Sequence, residues 1–196
     1  MLVLVVLGLV TGCESPGRSL DKSAVDQIRD GQTTRAEVER IFGEPKEMTK
    51  SPAGKTLYHY ERFYGPFNSG QAGMAAPFAD ESSLLILTVL FNPGDIVEKH
   101  LYSQTKPDVS RRMLRAGVKL GTDELARIVP EKTTRAELAS WFGPHWSEEL
   151  TLSGHTMVVW VYADAFNVTG RVAGQALQVI VDETGKVLTF RVTKQD

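Results

Sequence analysis

The chain has 196 residues, of which 42% are hydrophobic and 23% charged, the balance of a globular protein rather than a disordered tail. Its 22 Lys and Arg against 24 Asp and Glu leave a net charge of −2, without the basic excess that a bulk nucleic-acid binder carries. One cysteine excludes an internal disulfide framework and a multi-cysteine zinc site, and the four histidines (His59, His100, His145, His155) have no spacing that gathers metal ligands.

Residues Met1 to Val10 are almost wholly apolar and uncharged. Ten residues are too few for a membrane-spanning helix, which needs about 20, and match the apolar core of a secretory signal peptide. The positive charge that ordinarily opens such a peptide is absent, which fits either a start upstream of Met1 or a weak export signal. Val10-Thr11-Gly12-Cys13 then places a small residue directly before the single cysteine. This resembles the bacterial lipobox, which implies cleavage between Gly12 and Cys13 and acyl chains on the Cys13 sulfur and amine. Two or more chains, at about 0.8 kcal/mol per buried methylene, make a stable anchor. The competing reading makes Cys13 a small apolar residue of an ordinary cleaved signal or of a buried first helix. Glu14 in the next position resembles outer-membrane sorting. Residues 1–12 are thus expected to be a signal peptide and 13–21, with Ser15, Pro16 and Gly17, a short flexible tether.

Compared with itself, the chain repeats at a spacing of 100 residues: Thr33-Thr34-Arg35-Ala36-Glu37-Val38 with Ile41-Phe42-Gly43 returns as Thr133-Thr134-Arg135-Ala136-Glu137-Leu138 with Trp141-Phe142-Gly143. Thr34 with Glu37, and Thr134 with Glu137, predict capping boxes. Val38, Ile41 and Phe42, and then Leu138, Trp141 and Phe142, lie at i, i+3 and i+4 and form one apolar helical face. Gly43 and Gly143 fit a left-handed residue closing each helix, with Pro45 and Pro144 preventing continuation. Shorter helices precede, over Lys22–Arg29 and Asp123–Val129, with Val25/Ile28 and Leu125/Ile128 inward. The second helix of each pair mixes Glu37, Glu39, Arg35 and Arg40, or Glu137 and Arg135, which is unlike a DNA-reading helix.

Strand patterns follow over Lys55–Phe63, Leu84–Phe91 and Ile96–Tyr102, and again over His155–Tyr162, Ala176–Val181 and Lys186–Thr193, with turns at Asn92-Pro93-Gly94-Asp95 and Asp182-Glu183-Thr184-Gly185. Helices first and hairpin-linked strands after predict an α+β fold with antiparallel sheets, in the order α-α-β-β-β, twice. The expected divisions are a first unit over 22–104, a linker over 105–121 and a second unit over 122–196. Two units of roughly 80 residues each are near the lower size for independent folding, so they are expected to share an interface.

The connection between the first two strands is uncharged from Gly65 to Ala79 and holds Phe67, Asn68, Met74 and Phe78, with an echo at Phe166 and Asn167 in the second copy. These residues are candidates for a partner- or lipid-contacting tip; a disordered hairpin loop is the other reading. In the linker, Arg111, Arg112, Arg115 and Lys119 are either a basic patch for anionic headgroups or one side of a solvated helix with Met113 and Leu114 packed down. The paired carboxylates Glu148-Glu149 and Asp182-Glu183 read as solvated charge. No nucleophile elbow, phosphate loop, HExxH or dinucleotide motif is present, so no catalytic residue, metal or cofactor is expected.

Gly31-Gln32-Thr33, Val38 and Gly43-Glu44-Pro45, then the aromatic strand Leu57–Phe63 and the hairpin Leu87–Ile96, resemble the SmpA/OmlA (BamE-like) family of bacterial lipoproteins. The second copy keeps Thr133, Leu138 and Gly143, with Glu131-Lys132 in place of Gly-Gln and Pro144 one position early. The resemblance implies a lipid-anchored, periplasm-facing protein of the outer membrane that accompanies assembly of outer-membrane proteins, with envelope proteins as partners and no nucleic acid. The tandem arrangement is also similar to the β-lactamase inhibitor protein fold, which implies a protein inhibitor using two concave sheets as a clasp. A lipid- or cell-wall-binding lipoprotein is a third reading.

Overall fold

The structure, a computed structural model, describes residues 20–64, 83–105, 109–110, 115–164 and 173–195. Three of the four described helices begin at a side-chain cap, and the third in chain order begins at Gly121 without one. Asp21 caps α1 (Lys22–Val25), its carboxylate accepting from the Ala24 N–H at 2.9 Å, and Thr34 caps α2 (Arg35–Phe42). In the second copy α3 (Thr122–Ala126) is followed by α4 (Arg135–Phe142), capped by Thr134. Both predicted capping boxes form: each Thr N–H donates to the glutamate at 2.8 Å, and each glutamate N–H donates to the Thr hydroxyl at 3.3 Å. The first helix of each pair is shorter than its apolar spacing predicts. The N–H groups of Gln27 and Ile28, and of Arg127 and Ile128, bond three residues back, which tightens the last turn. Ile28 and Ile128 nevertheless stay buried.

Gly43 and Gly143 close α2 and α4 with φ of 80° and 73°, as expected, but their ψ of −158° and −159° is extended rather than left-handed helical. That region is open essentially to glycine alone. The chain thereby leaves each helix sharply towards its sheet.

The first sheet orders β1 (Glu47–Lys50), β2 (Thr56–Tyr64), β3 (Ser83–Phe91) and β4 (Val97–Thr105) side by side, all antiparallel. Two short strands, β5 (Val109–Ser110) and β6 (Arg115–Ala116), follow, then β7 (Ser147–Leu150), β8 (Thr156–Asp164), β9 (Ala173–Val181) and β10 (Val187–Gln195). In the second sheet β10, β9 and β8 run in order, and the free side of β8 is shared by β7 along its first half and β6 at its end. The α+β class and the tandem repeat stand. Each unit, however, has four principal strands and not three. The extra ones, β1 and β7, are four-residue edge strands of sequence EMTK and SEEL, too short and too polar to show an apolar period.

The unit boundaries also move outward. Leu20, assigned to the tether by composition, is buried in the first core, and Leu120, assigned to the linker, is its equivalent in the second. Within the linker, Val109–Ser110 and Arg115–Ala116 form β5 and β6, which pair with each other, and β6 also pairs with β8; Arg111, Arg112, Met113 and Leu114 lie outside the described residues.

Each core forms between the helix pair and one sheet face. In the first, Val25, Ile28, Val38 and Phe42 meet Tyr58, Tyr60, Leu87, Val89 and Phe91; in the second, Ile128, Leu138 and Phe142 meet Val158, Trp160, Leu177 and Val179. Each such fully buried side chain contributes about 1.5–3 kcal/mol. Tyr60 and Trp160 occupy the same place and do the same work: the Tyr60 hydroxyl donates to the Gly43 carbonyl at 3.1 Å, and the Trp160 indole N–H to the Gly143 carbonyl at 3.0 Å. An aromatic body thus fills the core while its polar tip satisfies the end of the helix.

Candidate functional site

β3 reads Ser-Leu-Leu-Ile-Leu-Thr-Val-Leu-Phe and is buried on both faces. One face meets its own helices. The other, with Leu84, Ile86, Thr88 and Leu90, is covered by β7 of the second unit, which lies across β3 and β4. Three hydrogen bonds fix this seam. Thr105 Oγ1 donates to the Trp146 carbonyl at 2.7 Å, the Leu150 N–H donates to Thr88 Oγ1 at 2.9 Å, and Lys99 Nζ donates to the Gly154 carbonyl at 3.0 Å. Thr88 is the one polar residue in the strand's apolar run, and it supplies the acceptor that a buried backbone N–H requires.

Beside these bonds lies a charged cluster drawn from both units. His59 on β2 places Nδ1 3.4 Å from Glu149 Oε2 of β7 and Nε2 3.5 Å from Glu61 Oε2 of its own strand. Lys46 Nζ is 2.7 Å from the same Glu61 oxygen, and Ser147 Oγ donates to Glu149 Oε1 at 3.1 Å. The side chains of His59 and Glu149 are only 17% and 20% exposed, so their pairing is partly shielded from water. They border a cleft of about 260 Å³ between the units, walled by Leu57, Leu152 and Met157 and edged by Glu47. The Glu149 hydrogen bond holds the His59 imidazole above its usual range against the opposing effect of burial. Burial pushes Glu149 up, but the His59 and Ser147 hydrogen bonds bring it net below the usual carboxylate range.

The repeated arginines anchor each helix start to its sheet through different acids. Arg35 pairs with Asp95, and its guanidinium lies 5.9 Å and 5.7 Å from the Tyr58 and Phe91 ring centroids. Arg135 pairs instead with Glu148, which His145 Nε2 also reaches at 2.7 Å, because the position of Asp95 in the second copy is Gly185. Burial raises Glu148, and His145 and Arg135 outweigh it, leaving the carboxyl below its usual range. Glu148 and Glu149 are therefore not the solvated pair expected: one anchors a helix start and the other joins the units. Tyr58 donates to Glu39 at 2.6 Å, and burial followed by that hydrogen bond pushes its hydroxyl up to about 12.

The outer face of the second sheet mixes polar side chains, Gln178, Thr189 and Arg191, with the apolar Met157 and Ile180. Arg191 donates twice to Gln178 Oε1, at 2.6 and 3.2 Å, and a groove of about 200 Å³ runs past Met157, Ile180 and Thr189. A clasp made from both outer faces would need the first one open, and β7 fills it.

The seam also orients the units. Along β7 the contacts pass from Thr105 at the end of β4 down to Leu90 and Lys99, and β8 runs back in the opposite sense. Tyr64 and Ser83 of the first sheet and Asp164 and Ala173 of the second therefore lie at the same end of the molecule. Leu120 is near that end too, donating its N–H to Gln175 Oε1 at 3.0 Å. The candidate residues Gly12, Cys13, Phe67, Asn68, Met74, Phe78, Phe166 and Asn167 all lie outside the described residues. Sequence reasoning did not find His59, Glu149 or Thr88. The only signal for any of them is the lone hydroxyl inside an apolar strand.

Among the described residues, no cluster of three or more His, Cys, Asp or Glu is placed to hold a metal ion, and no helix is long and apolar enough to cross a membrane. Compared with models of protein families, with curated proteins and with solved structures, the chain shows no match.

Proposed function

We propose that this protein is a non-catalytic, lipid-anchored interaction module of the bacterial cell envelope. It faces the periplasm, held at the outer membrane through acylated Cys13, and supports assembly of envelope or outer-membrane proteins. The lipobox-like Val10–Cys13, the following Glu14 and the resemblance to the SmpA/OmlA family support this reading. The observation that carries it furthest is the common end of the two sheets. Tyr64 and Ser83 of the first sheet and Asp164 and Ala173 of the second lie at the same end of the molecule rather than at opposite ends. A shared end gives a tandem protein one composite contact surface where a single unit would offer half.

Photo-crosslinking amino acids placed at Phe67 and at Phe166 in living cells test the reading, with the exposed Met48 on β1 as the control. Capture of envelope proteins from both loop positions and not from Met48 is expected. Loop positions that crosslink nothing, or no more than Met48 does, would overturn the assembly role.

A further inference from the structure

Among the described residues, the seam is held by apolar burial, by the hydrogen bonds of Thr88, Lys99 and Thr105, and by the ion pair of His59 with Glu149, whose members belong to different units. We propose that docking of the second unit on the first is proton-dependent: His59, gripped between Glu149 of the second unit and Glu61 of its own strand, tightens the seam below neutral pH and loosens it above. The proposal rests on the seam alone and does not depend on how the protein is anchored.

The geometry makes this a property of the joint rather than of either fold. Glu61 belongs to the same strand as His59 and keeps its salt bridge to Lys46 whether or not the units are docked. Glu149 comes from the other unit, so its 3.4 Å contact exists only while β7 lies on the first sheet. A protonated imidazole can donate from both nitrogens and serve both carboxylates; a neutral one has a single N–H and can donate to only one of them. The charged groups around the ring are Glu61 on β2, Lys46 and Glu47 at β1, and Glu149 on β7; β3 and β8 present the uncharged Thr88 and Met157.

The direction follows from linkage. His59 is raised in the folded protein, chiefly by the Glu149 hydrogen bond. Its contribution is therefore complete below the unfolded value of about 6.5 and is lost as pH rises through the folded value. Glu149 is lowered, so its contribution is present above the ordinary carboxylate range and lost as pH falls through the depressed value. The seam is consequently tightest in mildly acidic solution and weakens on both sides. Leu84, Ile86 and Leu90 keep the units together throughout, so the proton modulates docking without opening it.

Amide hydrogen exchange of Leu150 reads the seam directly, because this N–H bonds Thr88 across it rather than β8. After correction for the intrinsic rate, its exchange in the intact chain is expected to quicken by about two- to fivefold between pH 6 and pH 8.5, the size of effect a part-exposed ion pair supports. His59→Gln and Glu149→Gln should each abolish that dependence, while amides of the second core such as Leu177 show none of it. The His59 imidazole, followed by NMR, should titrate above the ordinary value in the intact chain and return towards it in Glu149→Gln, a readout that survives if His59→Gln fails to fold. A pH-independent Leu150 amide, a His59 titrating at or below about 6.5, or a Glu149→Gln variant that keeps the full dependence would each overturn the proposal.

Discussion

At equivalent positions the two units meet the same backbone demand with different residues. The turn before the capping threonine needs a positive φ, which Gly31 adopts at 76° and Glu131 at 63°; the hairpin turn needs another, which Asp95 adopts at 61° and Gly185 at 80°. A side chain in that region costs about 1–2 kcal/mol, partly offset by the freedom that glycine lends the unfolded chain. Glu131→Gly should therefore stabilise the protein by about 0.5–1 kcal/mol, visible as a higher urea midpoint at unchanged slope. Gly31→Ala should cost about 1 kcal/mol through the backbone alone, since a Cβ there would meet nothing within 4 Å. Asp95→Gly should not stabilise, because Asp95 also holds Arg35. The second-copy departure from Gly to Glu is plain in the sequence, but its meaning, a strained φ rather than a changed turn, needed the structure.

Among the elements, those with strong local grammar were legible and those made by tertiary pairing were not. Thr-x-x-Glu foretold α2 and α4, because a capping box is made within four residues. Thr34→Ala and Thr134→Ala should each cost about 1 kcal/mol, measured by chemical denaturation. Glu37 and Glu137 are held below the usual carboxylate range chiefly by the Thr34 and Thr134 N–H groups, so their part of each cap is present near neutrality and fades as pH falls through the depressed values. The two middle strands carried further information. Leu84–Phe91 is apolar at every position but Thr88 because both faces are buried, whereas in Ala176–Val181 the buried Leu177, Val179 and Val181 alternate with half-buried Ala176, Gln178 and Ile180. That difference marks which unit is covered. β1 and β7 escaped notice because Glu47 to Lys50 and Ser147 to Leu150 form strands only by pairing with β2 and β8.

Across the whole molecule, the seam of β7 on β3 and β4 joins the two repeats. No local pattern announces that His59 meets Glu149, since the pair is 90 positions apart in the chain and forms only once β7 has crossed the first sheet. Thr88→Val keeps the shape but strands the Leu150 N–H. It should cost about 1–3 kcal/mol, and should weaken the seam before either core, seen as faster exchange at Leu150 than at Leu177. With that face of β3 closed, the strand ends shared by both sheets are the surface that the proposed envelope role relies on. The role stands or falls with the anchor. Mass spectrometry of the N-terminal peptide from the protein isolated from bacterial membranes tests it most directly. The account predicts a chain that begins at Cys13 and carries acyl chains on its sulfur and amine, and a Cys13→Ala variant that moves to the soluble fraction. A Cys13 with a free thiol, still joined to Gly12, would contradict it.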